Sequence, residues 1–99
     1  MERKKELQIS KKDLKFIVKE DFESILEIAK FNSFCSNCFE KNEFEMVDYQ
    51  ISLNHLNDVI FKGRCSLCNK TIVRHIETGE EKELLLRTEI IRQQKVNSN

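Results

Sequence analysis

Two pairs of cysteines constrain this chain more than anything else in it. They are Cys35-Ser36-Asn37-Cys38 and Cys65-Ser66-Leu67-Cys68, separated by twenty-six residues, and they hold all four cysteines of the 99-residue sequence. Two residues between paired cysteines let one tight turn aim both sulfurs at a single point, while the N–H groups of the turn donate to the thiolates. Two such turns facing each other make a tetrahedral site. Soft thiolates in a closed set of four suit zinc, at Zn–S distances of about 2.3 Å, and leave no open position for a substrate or an activated water. The spacing therefore predicts one structural Zn²⁺ on Cys35, Cys38, Cys65 and Cys68, with iron a minor alternative that the same thiolates allow. Two disulfides are the competing use of four cysteines. The N-terminus Met1-Glu2-Arg3-Lys4-Lys5-Glu6 lacks the apolar core of a secretory signal, so a reducing, cytoplasmic setting and a metal fit the symmetric pairs better.

With a strand-like segment between them, these two C-x-x-C turns resemble the zinc-ribbon group over about residues 34–77. In that group each turn begins or ends a hairpin, so the resemblance implies a three-stranded antiparallel sheet with the metal at one end. It implies no activity, because such modules serve transcription, translation, replication and scaffolding alike. The commoner ribbon pattern places glycine after the second cysteine of a turn, whereas this chain has Phe39 and Asn69. Asn69 can take φ > 0 at little cost and Phe39 cannot, which predicts a wider first turn.

The flanks read as helices, making the fold class α+β: a small three-stranded antiparallel ribbon between an N-terminal and a C-terminal helix. Residues 1–10 are polar and read as a flexible tail, residues 11–95 as a single domain and residues 96–99 as a flexible end. Ser10 begins a helix pattern in which Leu14, Ile17, Val18, Phe22, Ile25, Ile28 and Ala29 recur at helical spacing, giving one helix to about Lys30. Asp21 interrupts that apolar face, so a short strand over 14–18 followed by a helix from Phe22 is the alternative. Val47, Tyr49, Ile51 and Leu53 alternate with polar residues as a half-buried strand. A polar turn over 52–58 leads to a second strand at Val59-Ile60-Phe61, and Thr71–Glu77 alternates as the third. Gly63 is expected to let the chain bend into the second metal turn. Thr78-Gly79-Glu80-Glu81 has the form of a capping box that starts a helix running to about Gln94. On that helix Leu84, Leu85, Thr88 and Ile91 form one face, while Leu86 and Ile90 form a second stripe on another side. Packing against the first helix is the simpler use of this stripe, and a contact with a partner or a second copy is the other.

Charge narrows the function classes. Lys+Arg and Asp+Glu number 17 each, for a formal net charge of zero, so nothing global marks a nucleic-acid binder. The balance is nevertheless uneven. Lys62, Arg64, Lys70 and Arg74 surround the second cysteine pair with no acid between residues 62 and 76, while Glu40, Glu43, Glu45 and Asp48 make the preceding segment acidic. Those four basic residues are the candidate phosphate contacts. Lys62 and Arg64 serve at least as well to offset a site whose four thiolates and one Zn²⁺ sum to minus two. His55 and His75 read as a turn residue and a sheet-face residue rather than ligands. No nucleophile–base arrangement is suggested by spacing, and two glycines leave no phosphate-binding loop. No apolar run approaches the roughly 18 residues of a membrane span. The expectation is a non-enzymatic zinc module acting as an interaction or accessory protein, through the Leu86/Ile90 stripe or the acidic segment 40–48, with a partner protein or a homodimer through the C-terminal helix. The alternative is a nucleic-acid-binding regulator using the basic patch.

Overall fold

The computed structural model describes residues 6–38, 40 and 44–96. The order of elements is β1 (Leu7–Ile9), α1 (Lys11–Val18), α2 (Phe22–Phe31), β2 (Met46–Leu53), β3 (Val59–Cys65), β4 (Thr71–Ile76) and α3 (Lys82–Val96). The strands form one antiparallel sheet in the order β1-β2-β3-β4. The sheet thus has four strands where the sequence pattern predicted three. The extra strand lies in the segment assigned to the tail, whose first five residues fall outside the described ones. Leu7 and Ile9 pair with Leu53 and Ile51 and add their side chains to the buried side of β2. Three residues are too few to show a period of two, which is why the strand escapes a pattern search.

Strand alternation separates the two faces of the sheet. Ile9, Met46, Ile51, Leu53, Val59, Phe61, Cys65 and Ile72 are buried on the inner face, and α1, α2 and α3 cover it with Leu14, Ile17, Val18, Ala29 and Ile91. Gln50, Lys62, Arg64, Val73 and His75 lie on the outer face, with Gln50 opposite Lys62 and Lys62 opposite Val73. Between Val47 and Gln50 the register of β2 shifts, and Asp48 there has φ 51°, a bulge that bends the strand. Gly63 faces it. A Cβ on Gly63 would come 2.6 Å from Met46 Cγ and 2.8 Å from the Val47 carbonyl oxygen. Close approach of β2 therefore requires this glycine, rather than the bend into the metal turn.

Ser10 starts α1 with the reciprocal bonds of a capping box. Its hydroxyl accepts from Asp13 N–H at 3.1 Å, and the Asp13 carboxylate accepts from Ser10 N–H at 3.0 Å. Residues 14–18 are helical, so the strand of the alternative reading does not form, while its helix, from Phe22, does. The single long helix does not form. At Lys19 the backbone takes φ 55° and ψ −123°, a 3₁₀ turn follows, and α2 begins with Asp21 at its N-cap position. The break frees the Ile17 carbonyl, and Arg87 of α3 donates to it through Nε at 2.6 Å. Unsatisfied helix-end carbonyls need such partners, so the kink and the α1–α3 contact are one feature.

The C-terminal helix also starts differently from expectation. Thr78 is fully buried, and its hydroxyl donates to the Asn57 carbonyl at 2.7 Å instead of capping. Residues Thr78–Glu80 form a 3₁₀ turn, and α3 opens where Leu85 N–H bonds the Glu81 carbonyl at 2.8 Å. Thr88 and Ile91 of the expected face are buried and Leu84 packs on the core. Leu86 and Ile90 are 58% and 46% exposed, so packing against the first helix does not account for them. No described helix is long and apolar enough to cross a membrane.

Candidate metal centre

The first cysteine turn hangs from the end of α2. Ser33 is buried and donates its hydroxyl to the Ala29 carbonyl at 2.6 Å, which ends the helix and turns the chain towards the sheet. Cys38 N–H then bonds the Cys35 carbonyl at 3.1 Å and closes the turn. The second turn is the tip of the β3–β4 hairpin. Cys65 N–H bonds the Lys70 carbonyl at 2.8 Å and Asn69 N–H bonds the Cys65 carbonyl at 3.0 Å. Asn69 has φ 65°, the left-handed conformation its side chain tolerates and the sequence anticipated. Phe39, on which the expectation of a wider first turn rests, lies outside the described residues. Ser66 anchors the tip by donating its N–H to the Glu45 carbonyl at 2.9 Å and accepting from Glu45 N–H at 3.0 Å.

These supports bring the Sγ atoms of Cys35, Cys38, Cys65 and Cys68 within 4.8 Å of one another. Cys35 Sγ and Cys68 Sγ are 3.6 Å apart. Four sulfurs at about 2.3 Å from a shared ion sit about 3.8 Å from each other, whereas a disulfide needs about 2.05 Å. The thiols are free, and their spacing and softness suit one thiophilic metal ion. Cys35, Cys38 and Cys65 are buried while Cys68 is partly exposed. Asn37 Nδ2 donates to Cys68 Sγ at 3.8 Å. Without an ion the four thiols are not equivalent: burial and the neighbouring sulfurs push Cys38 up to about 12. The Lys70 backbone N–H, reinforced by the other thiols, outweighs burial at Cys68 and brings it down to about 7.

The candidate phosphate contacts do not form one patch. Lys62 and Arg64 project from the outer face of β3, while Arg74 is paired with Phe61 on the inner face and donates through Nη1 to the Asn32 carbonyl at 3.3 Å. Arg64 is bonded to Asp48 and to Asn69 Oδ1, and the Lys70 ammonium to Ser36 Oγ, so that it ties one cysteine turn to the other. Of the acidic segment, Asp48 is engaged by Arg64, Glu45 by Ser66 through its backbone, and Glu43 lies outside the described residues. His55 is exposed in its turn, as expected.

A second cluster, which sequence reasoning missed, sits at the other end of β3. Asn57, with φ 63°, and Asp58 are buried. Asn57 Nδ2 donates to Glu89 Oε1 at 2.8 Å and its Oδ1 accepts from Arg92 Nε at 2.9 Å, while Arg92 also reaches the Asn54 carbonyl at 2.8 Å. Asp58 holds Gly79 N–H at 2.7 Å with one oxygen and the outer-face His75 Nε2 at 2.8 Å with the other. Asn57 and Asp58 looked like ordinary turn residues because their partners are seventeen to thirty-five positions away. The network latches the β2–β3 turn onto α3. Compared with protein-family models, curated proteins and solved structures, the chain matches none.

Proposed function

We propose that this chain is a non-enzymatic zinc-binding module: Cys35, Cys38, Cys65 and Cys68 hold one structural Zn²⁺ in a zinc-ribbon-like arrangement, and the protein serves as a small interaction or accessory factor. The convergence of four sulfurs from two turns on one point carries the reading. A tetrahedral ion bound by all four has no coordination position left for chemistry, which favours stapling over catalysis. Thiolates of this kind persist in a reducing compartment. The exposed Leu86 and Ile90 on α3 are the contact surface of this reading, for a second copy or for an apolar face on another protein. Nucleic-acid binding is the less supported use, because Arg74 lies on the opposite face of the sheet from Lys62 and Arg64.

Native mass spectrometry of protein purified without added metal tests the centre. One zinc per chain, lost on treatment with a chelator, is the expected result. An iron-loaded chain, visible by its colour, would replace zinc in the proposal, and a metal-free chain lighter by the hydrogens of two disulfides would end it. The contact surface is tested by sedimentation of the wild type and of Leu86→Glu/Ile90→Glu, with association lost only in the variant. Salt-dependent nucleic-acid binding abolished by Lys62→Glu with Arg64→Glu would favour the other use instead.

A further inference from the structure

The four sulfurs differ in what can reach them, and the difference gives the centre a direction of attack. Cys35 and Cys65 are 0% exposed and Cys38 is 4% exposed, while Cys68 is open to solvent on one side. The side chains at its rim are polar: Asn37 donates to its sulfur, and the Lys70 ammonium is bonded to Ser36 of the other turn. The sulfur 3.6 Å behind it belongs to Cys35, in the other turn. An oxidant arriving from solvent meets Cys68 first, and the product it leaves faces Cys35.

Building on the metal-centre reading, we propose that the site is also a peroxide-responsive switch, in which Cys68 is the attacking thiolate and Cys35 the resolving one, forming a Cys35–Cys68 disulfide and releasing the ion. In the first step the Cys68 thiolate attacks one oxygen of hydrogen peroxide. The O–O bond breaks, an S–O bond forms, and hydroxide leaves, so Cys68 becomes a sulfenic acid and the peroxide takes two electrons. In the second step the Cys35 thiolate attacks the Cys68 sulfur, an S–S bond forms, and the sulfenic oxygen leaves as a second hydroxide. The sum is two thiolates and one peroxide giving one disulfide and two hydroxides. Cys38 and Cys65 remain as two thiolates, half of the ligand set, and no longer retain the ion. The bridge joins the same two turns that the ion joined, so the hairpin tip stays attached to the end of α2 while the metal departs.

The sequence makes the bridge easy to locate. Trypsin cuts after Lys30, Lys41, Arg64 and Lys70, so Cys35 and Cys38 share the peptide 31–41 while Cys65 and Cys68 share the peptide 65–70. The test is to load the full chain with zinc, add hydrogen peroxide stepwise, follow zinc with a chromogenic chelator, and map the oxidised protein by tandem mass spectrometry. The expected result is zinc release in step with a cross-link between the two peptides at Cys35 and Cys68, reversed by dithiothreitol and zinc. Brief alkylation of the loaded protein is expected to label Cys68 first. Two separate peptides each lacking two hydrogens, a cross-link through Cys38 or Cys65, or a sulfinic acid at Cys68 without any bridge would each overturn the switch. A chain that takes up no zinc before peroxide is added fails the metal centre itself, so the two readings fail in different steps of one experiment.

Discussion

At the scale of single residues, three positions carry more of the fold than their chemistry suggests. Gly63 is one, because a methyl group there would press on a backbone oxygen that cannot rotate away. Overpacking of this kind costs about 1–3 kcal/mol, and Gly63→Ala is expected to lower stability by about 2 kcal/mol in urea denaturation, with metal content unchanged at saturating zinc. Lys19 is the second. Its φ and ψ belong to a region that glycine occupies freely, and holding another residue there costs about 1–3 kcal/mol, more than the roughly 0.5–1 kcal/mol of chain entropy a glycine adds. Lys19→Gly should therefore raise the midpoint of thermal unfolding; a lower midpoint would mean the kink is not strained. Asp13 is the third. Burial opposes its ionisation, but the Ser10 N–H and Lys95, at 3.0 Å, outweigh it and hold its carboxyl below the ordinary value of 3.8. With the folded value depressed, the stability it contributes is present above the unfolded value and disappears as pH falls through the folded one. The wild type should lose stability over that acid window, and Asp13→Asn should lose less there while being weaker at neutral pH.

At the scale of elements, each helix and strand was legible to the extent that its cause is local. Ser10 capping and the alternation in β2 and β4 act within a few residues, and both were visible in the sequence. The break near Asp21 was half legible: the interrupted apolar face pointed to a helix starting at Phe22, but no proline or glycine marks the turn at Lys19, and its stabilising partner, Arg87, is seventy residues away. The start of α3 misled for the same reason: Thr78 and Glu81 make a good capping box in isolation, but Asn57 competes for the threonine hydroxyl and wins. The convergence of the four cysteines was legible because C-x-x-C spacing is itself local geometry, whereas the division of Lys62, Arg64 and Arg74 between two faces depends on strand register. At this scale Arg87→Met is expected to cost about 1.5–3 kcal/mol, the range for a hydrogen bond from a charged group, and to loosen α1 from α3 in amide exchange. The cysteine turns carry a further expectation. An ion can bind only as the thiols give up their protons, Cys38 most reluctantly, so loading should release protons and acidification should release the metal. Calorimetry of zinc binding in buffers of different ionisation enthalpy checks this: an apparent enthalpy that is the same in all of them would contradict it.

At the scale of the whole molecule, β3 runs between two fastenings. Its last residue, Cys65, belongs to the sulfur cluster, and the residues before its first, Asn57 and Asp58, belong to the polar latch on α3. Seven residues of strand separate them by about 20 Å, and they share no side chain. One fastening answers to thiol chemistry and to any ion the thiols hold, the other to α3, the turn over 78–80 and His75 of β4. The protein consequently has a hinge-like hierarchy of loosening. Chelation should unzip it from the cysteine end inwards, with amides of residues 65–71 exchanging first and those near Asn57 and Thr88 keeping their protection, so that the metal-free chain is a shortened folded body rather than an unfolded one.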